Sequence, residues 1–175
     1  MKKLPALFLI VFSAITTASA QDDSPEARIA KLGLTLTEAP PSIANYVPLV
    51  QTGNLVFLAG QIARDADGKV ITGKVGRELS ELQATEAARA CTLQLLSSLK
   101  TEVGDLSRVK RVVRVGGFVN CTDDFTAHSK VINGCSDLLV AVFGEAGRHA
   151  RASVGVNSLP SGAPVEIEMI VELRE

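Results

Sequence analysis

Few side chains in this sequence are reactive, and the pair best placed to do chemistry is Arg151 and Glu166, 15 residues apart. Their midpoint falls between Ser158 and Leu159, and Leu159-Pro160-Ser161-Gly162 carries the signals of a turn. If the strands on either side pair as a hairpin, Arg151 and Glu166 face each other on one side of a sheet. A guanidinium in a concave site grips a carboxylate through two parallel hydrogen bonds. A carboxylate opposite it can hold a water or pass a proton. The same spacing also fits a cross-strand ion pair contributing about 0.2–1 kcal/mol, and spacing alone does not separate the two readings. His149, beside Arg151, is a further candidate base or a structural histidine. His128 falls in the first turn of a helix and reads as solvent-facing. Gly60-Gln61 follows an apolar run, where a bare backbone can approach a ligand or simply make a turn. There is no Gly-x-Ser-x-Gly elbow, P-loop, dinucleotide fingerprint or metal motif.

Composition narrows the chemistry from the other side. The 175 residues carry 18 Lys+Arg against 19 Asp+Glu, a formal charge of −1, which offers nothing to a polyanion. Two His and three Cys, with no Cys-x-x-Cys, are too few for most zinc modules. With no Trp and one Tyr there is no stacking platform for single-stranded nucleic acid. Hydrophobic residues make up 46% of the chain, which is the composition of a packed domain rather than a disordered one.

Residues 1–20 read as a secretory leader. Lys2 and Lys3 form the basic end, Ala6–Ile15 the short apolar run and Ala18-Ser19-Ala20 the cleavage site. Cleavage after Ala20 predicts a mature chain that begins at Gln21, with a periplasmic or secreted location and no membrane association. Both leader lysines leave with it, and the remaining net charge is −3. In an oxidising compartment an odd number of cysteines leaves at least one thiol free or paired between chains. Cys91 and Cys135 fall on apolar helix faces and read as buried, while a Cys121–Cys135 bridge remains open as an alternative.

The elements that must position these residues follow from periodicity. Residues 21–45 read as a lead-in: Ser24-Pro25 starts a short helix to about Leu32, and Ala39-Pro40-Pro41 continues as extended chain. Val47–Val50 and Leu55–Leu58 form a hairpin about Thr52-Gly53-Asn54. Ser80-x-x-Gln83 is a capping box opening a helix to Val103, which Gly104 stops. Val109–Val119 is a valine-rich strand, and a second long helix spans about Asp124 to Phe143. In Ala150–Val156 the odd positions Arg151, Ser153 and Gly155 share a face, and in Val165–Leu173 the odd positions are all apolar. The predicted class for 46–175 is α+β, a mixed β-sheet covered on one face by two long helices.

Arg151-Ala152-Ser153-Val154-Gly155-Val156-Asn157-Ser158-Leu159-Pro160, followed by Val165-Glu166-Ile167-Glu168, resembles the signature of the RidA (YjgF-like) family. Ala44-Asn45-Tyr46-Val47, Leu58-Ala59-Gly60-Gln61, Asp124-Phe125 and Asn133 are similar to further family segments, so the resemblance runs from about Tyr46 to Leu173. It implies a chorismate-mutase-like fold, a homotrimer with clefts between subunits, and hydrolysis of reactive enamines and imines to 2-oxo acids and ammonia without cofactor or metal. By the same resemblance Arg151 binds the substrate carboxylate and Glu166 positions or activates water. Tyr46 and Asn133 line the pocket, and the Gly60 backbone contacts the ligand. A non-catalytic module binding a small carboxylate in the same cleft is the alternative, and an endoribonuclease fits the acidic chain less well. The sequence departs from the family pattern at Ala59, where the family has serine, at Ser153, where cysteine is frequent, and at His149, where proline is frequent.

Overall fold

The structure is a computed structural model of the chain and describes residues 23–37 and 45–175. The expected leader and residues 38–44 of the lead-in lie outside the described residues. Ser24 caps α1 (Pro25–Lys31), accepting a hydrogen bond from the Ala27 amide at 3.2 Å. The strand β1 (Leu49–Thr52) turns at Gly53, whose φ of 59° suits glycine, into β2 (Leu55–Ile62). The capping box then opens α2 (Glu81–Val103): Gln83 N–H donates to Ser80 Oγ at 3.3 Å, and Ser80 N–H donates to Gln83 Oε1 at 2.9 Å. The chain continues as β3 (Val109–Asn120), α3 (His128–Phe143), β4 (Ala150–Val156) and β5 (Val165–Leu173).

The five strands form one mixed sheet in the order β1-β2-β5-β3-β4. Only β3 and β4 are parallel, and a parallel pair needs a crossover, which α3 supplies. Both long helices cover one face of this sheet. Leu95, Leu96 and Leu99 of α2 and Leu138 and Leu139 of α3 are fully buried there, with Val112, Val115, Ile167, Met169 and Val171 beneath them. Glycine permits two close approaches. A Cβ on Gly117 would meet the Ile132 side chain at 2.6 Å, and one on Gly134 would collide with the Thr85 backbone carbonyl where α3 crosses α2.

Three readings need correction. The last two strands are not a hairpin. β3 lies between them, and residues 157–164 carry the chain over its end, where Asn120 Nδ2 donates to the Ala163 carbonyl at 3.1 Å. β3 is fully buried at Val112, Val115 and Val119 and needs a partner on each side, whereas β4 is exposed or half-buried throughout, as an edge strand is. The second long helix also begins at His128 rather than Asp124. Residues 122–125 form a turn closed by the Phe125 amide on the Thr122 carbonyl at 3.1 Å, and no side chain caps the helix at Ala127. Finally, Cys91, Cys121 and Cys135 are all buried free thiols, so Cys121 and Cys135 are not bridged.

Because the Thr85 carbonyl is backbone and cannot swing aside, Gly134→Val is expected to cost about 1–3 kcal/mol in a denaturant titration. An unchanged midpoint would refute the close α2–α3 crossing.

Candidate functional site

Strand register decides where the expected site residues point. Arg151 pairs with Val115 of β3, and Val115 pairs with Met169 of β5. All three side chains therefore face the helices. Glu166 pairs with Phe118, whose other partner is Val154. Positions 151 and 154 differ by an odd number, so Glu166 faces the open side of the sheet. Within one chain Arg151 and Glu166 are on opposite faces with β3 between them. They are neither a cross-strand ion pair nor two walls of one pocket.

The expected residues fall instead into separate groups. At the β4 edge, Asn133 and Ser136 stand one turn apart on α3 and meet the Arg151 guanidinium. Arg151 Nη1 donates to Asn133 Oδ1 and to Ser136 Oγ, both at 2.9 Å. Those contacts use both hydrogens of Nη1 and leave Nε–H and Nη2–H, the side-on fork that matches a carboxylate. Among the described residues Arg151 has no carboxylate partner, although seven other ion pairs form. On the same face Ser153 Oγ is buried and unbonded. The asparagine was legible in the sequence. Ser136 was not singled out, although its i+3 spacing from Asn133 is the signal that finds it.

The second group lies on the open face. β2 bulges between Leu58 and Gln61, so Ala59 and Gly60 have no register partner on β5. The Glu166 carboxylate lies over Gly60, in the space that a Cβ there would occupy. Its neighbours along β5 are paired, Glu168 with Arg114 at 3.1 Å and Glu172 with Lys110 at 2.8 Å. Glu166 itself has no hydrogen-bond or ion-pair partner among the described residues. Burial, and then the charge of Glu168, raise its pKa above the usual 4.5. Tyr46 is 53% exposed and leads into β1, at the edge of the sheet opposite β4.

Depressions of about 300 and 310 Å³ lie elsewhere on the surface of the described residues. The larger lies on the open face among Phe57, Arg114, Gly116 and Glu168. The other contains Cys121, Phe125 and His128. Contrary to expectation His128 is half-buried, with Nε2 3.3 Å from Cys121 Sγ and its ring edge-on to Phe125. Neither depression includes Arg151 or Glu166.

A carboxylate whose folded pKa is raised contributes stability below its unfolded pKa and loses it as pH rises through the folded value. Glu166→Gln should therefore raise the melting temperature at pH 7–8, with the gain vanishing near pH 4 where both side chains are neutral. A lower melting temperature at neutral pH would mean that Glu166 has a stabilising partner.

Comparison with known proteins bears on the family and the fold. Residues 26–173 match the family model described as "YjgF/chorismate mutase-like, putative endoribonuclease". The chain is 45% identical over 149 residues to Protein TCP17 of Trypanosoma cruzi, covering 85% of this chain and 93% of that one. It is 31% identical over 138 residues to a 2-iminobutanoate/2-iminopropanoate deaminase of the mite Dermatophagoides farinae, covering 78% and 91%. The crystal structure of Atu1372 from Agrobacterium tumefaciens, a protein of unknown function, superposes with a TM-score of 0.80 at 44% identity, covering 86% and 92%. With its mixed sheet, its two covering helices and a family match spanning nearly all the described residues, the chain belongs to the YjgF/RidA family and has the chorismate-mutase-like α+β fold.

Proposed function

We propose that the protein hydrolyses small 2-imino and 2-enamino acids to 2-oxo acids and ammonia, in sites formed between subunits of a homotrimer. The observation that carries this reading is Arg151: a guanidinium tethered through Nη1 alone, with its carboxylate-shaped fork free. Arg151 and Glu166 face opposite sides of one chain, so they act on one ligand only if neighbouring chains bring the two faces together. The open face supports association. Phe57 is 40% and Val154 44% exposed there. Half-buried Ile170, beside Phe57, and Phe118, beside Val154, extend these on the strands between, and such an apolar, uncovered face fits a contact surface.

In such a cleft Arg151 of one subunit holds the substrate carboxylate, with each hydrogen bond to a charged group contributing about 1.5–3 kcal/mol. Asn133 holds the guanidinium in place. From the other subunit Glu166 takes a proton from water while the oxygen adds to C2. The proton passes to the nitrogen to give a carbinolamine; Glu166 then takes the proton of its hydroxyl and delivers it to the nitrogen, the C–N bond breaks, and ammonia and the 2-oxo acid are released. An enamine first takes a proton at C3 to become the imine. A carboxylate with a raised pKa is a stronger base, and assistance of about 10²–10⁴-fold is enough for a bond that hydrolyses readily in water. Tyr46 and the Gly60 backbone line the cleft in this reading. No metal or cofactor takes part. Cleavage of the leader expected from residues 1–20 would put the reaction in the periplasm or outside the cell.

One observation favours a second reading, carboxylate binding without turnover: beside Gly60 the side chain is that of Ala59, which donates nothing to a water or a leaving group. The endoribonuclease in the family description fits less well, because on the open face Arg114 and Lys110 are already paired with Glu168 and Glu172, and Glu166 beside them repels phosphate.

An amino-acid oxidase generating 2-iminobutanoate in situ supplies the test. The wild type should release ammonia faster than buffer, and Arg151→Ala should lose at least 100-fold of that acceleration, about 2.7 kcal/mol. No acceleration by the wild type, with 2-oxobutanoate still raising its melting temperature, would leave the binding reading in its place.

A further inference from the structure

Arg151 is held by more than Asn133. Ser136 Oγ, which accepts from Arg151 Nη1, lies 3.0 Å from His149 Nε2, and His149 Nδ1 lies 2.6 Å from the Gly147 carbonyl. A carbonyl oxygen only accepts, so Nδ1 carries the proton. In the neutral imidazole Nε2 is then an acceptor, and the Ser136 hydroxyl donates to it. The serine oxygen thereby turns its lone pairs toward Arg151. The chain Gly147, His149, Ser136, Arg151, Asn133 leaves no donor or acceptor competing for the guanidinium, and it begins at a backbone atom that cannot rotate away. Nothing else in the described structure uses His149.

We propose that His149 and Ser136 are positioning residues, fixing the Arg151 guanidinium so that its free fork faces the incoming carboxylate. The inference rests on the proposed role of Arg151. The imidazole side chain acts through the hydroxyl and does not touch the ligand. Because the relay sets how the carboxylate is held throughout the reaction, its loss weakens binding of substrate and transition state alike and raises KM with kcat little changed.

The relay also has a pH dependence. Burial, with Arg151 as the charged group acting on it, keeps the His149 pKa below its usual 6.5. Of the neighbouring charged groups, Glu145 and Arg148 pair with each other at 3.1 Å, and Asp137 on α3 is exposed. Once protonated, Nε2 becomes a donor and can no longer accept from Ser136. The imidazolium also repels Arg151. Affinity held by the relay is present while His149 is neutral and is lost as pH falls through its folded pKa.

Calorimetric titration with 2-oxobutanoate tests this on the full-length protein. Ser136→Ala and His149→Phe should each weaken binding about tenfold at pH 7.5, and the double variant should be no worse than either single one, because both break one chain. His149→Gln, whose side-chain oxygen can replace Nε2 as acceptor, should bind within about threefold of wild type. Wild-type affinity should fall as pH drops below 6.5 while that of His149→Phe, which has no imidazole to titrate, stays flat. If Arg151→Ala abolishes binding but Ser136→Ala and His149→Phe bind as tightly as wild type, the relay is refuted and the reading of Arg151 stands. Additive losses, or a His149→Gln as weak as His149→Phe, also refute the relay. Full-strength binding by Arg151→Ala would refute the reading of Arg151 itself.

Discussion

The pairing of β4 with the far side of β3 is the constraint from which the rest follows. β3 is the strand with the most buried valines, and it takes β5 on one side and β4 on the other. That placement makes β4 an edge strand and brings it parallel to β3. The parallel pairing in turn requires α3 as the crossover, running directly above the β4 side chains that face the helices. Arg151 thus meets Asn133 and Ser136 as a consequence of sheet order. Glu166, three residues out of register on β5, is turned to the other face by the same pleat. A hairpin would have placed the two charges together, in attraction and at rest. The observed order separates them and leaves both without an opposite charge.

The electrostatics of the open face sharpen this separation. Three glutamates alternate along β5, and cations from β3 neutralise two of them. The third lies over Gly60 at the β2 bulge, half-buried and next to another carboxylate. Burying a charge without a partner costs stability, and folds keep such groups where chemistry needs them. Arg151 is the counterpart on the helix-covered face: its tether is made of neutral oxygens, which orient the guanidinium without neutralising it. In the proposed reading each face carries half of a site that a second chain completes.

Much of this was legible in the sequence because it is local. The capping box at Ser80 and Gln83, the Ser24 cap, the turn at Gly53 and the alternation of Val165–Leu173 each depend on residues a few positions apart. Arg151 and Glu166 were singled out by their spacing about the turn, and Asn133 by the resemblance of its segment. What was not legible depends on strand order. The turn residues at 159–162 and the symmetric spacing fit a hairpin as well as a chain passing over one intervening strand. Only the burial of β3 on both sides decides between them. The start of α3 was misplaced because Asp124 reads as a helix opening, whereas residues 122–125 form a turn and Phe125 packs on His128, the first residue of the helix, which reaches Cys121. The His149–Ser136 contact joins a residue that precedes a strand to one within a helix, and no spacing rule relates them.

The central claim is that one site takes its arginine from one chain and its glutamate from another. Mixing unfolded Arg151→Ala and Glu166→Gln chains in equal amounts and refolding them together tests it most directly. Each variant alone should be inactive. In the mixture about a quarter of the clefts should pair an intact Arg151 with an intact Glu166 from a different chain, and deaminase activity should return to about that fraction of wild type. Activity no greater than the sum of the two parents would contradict the account.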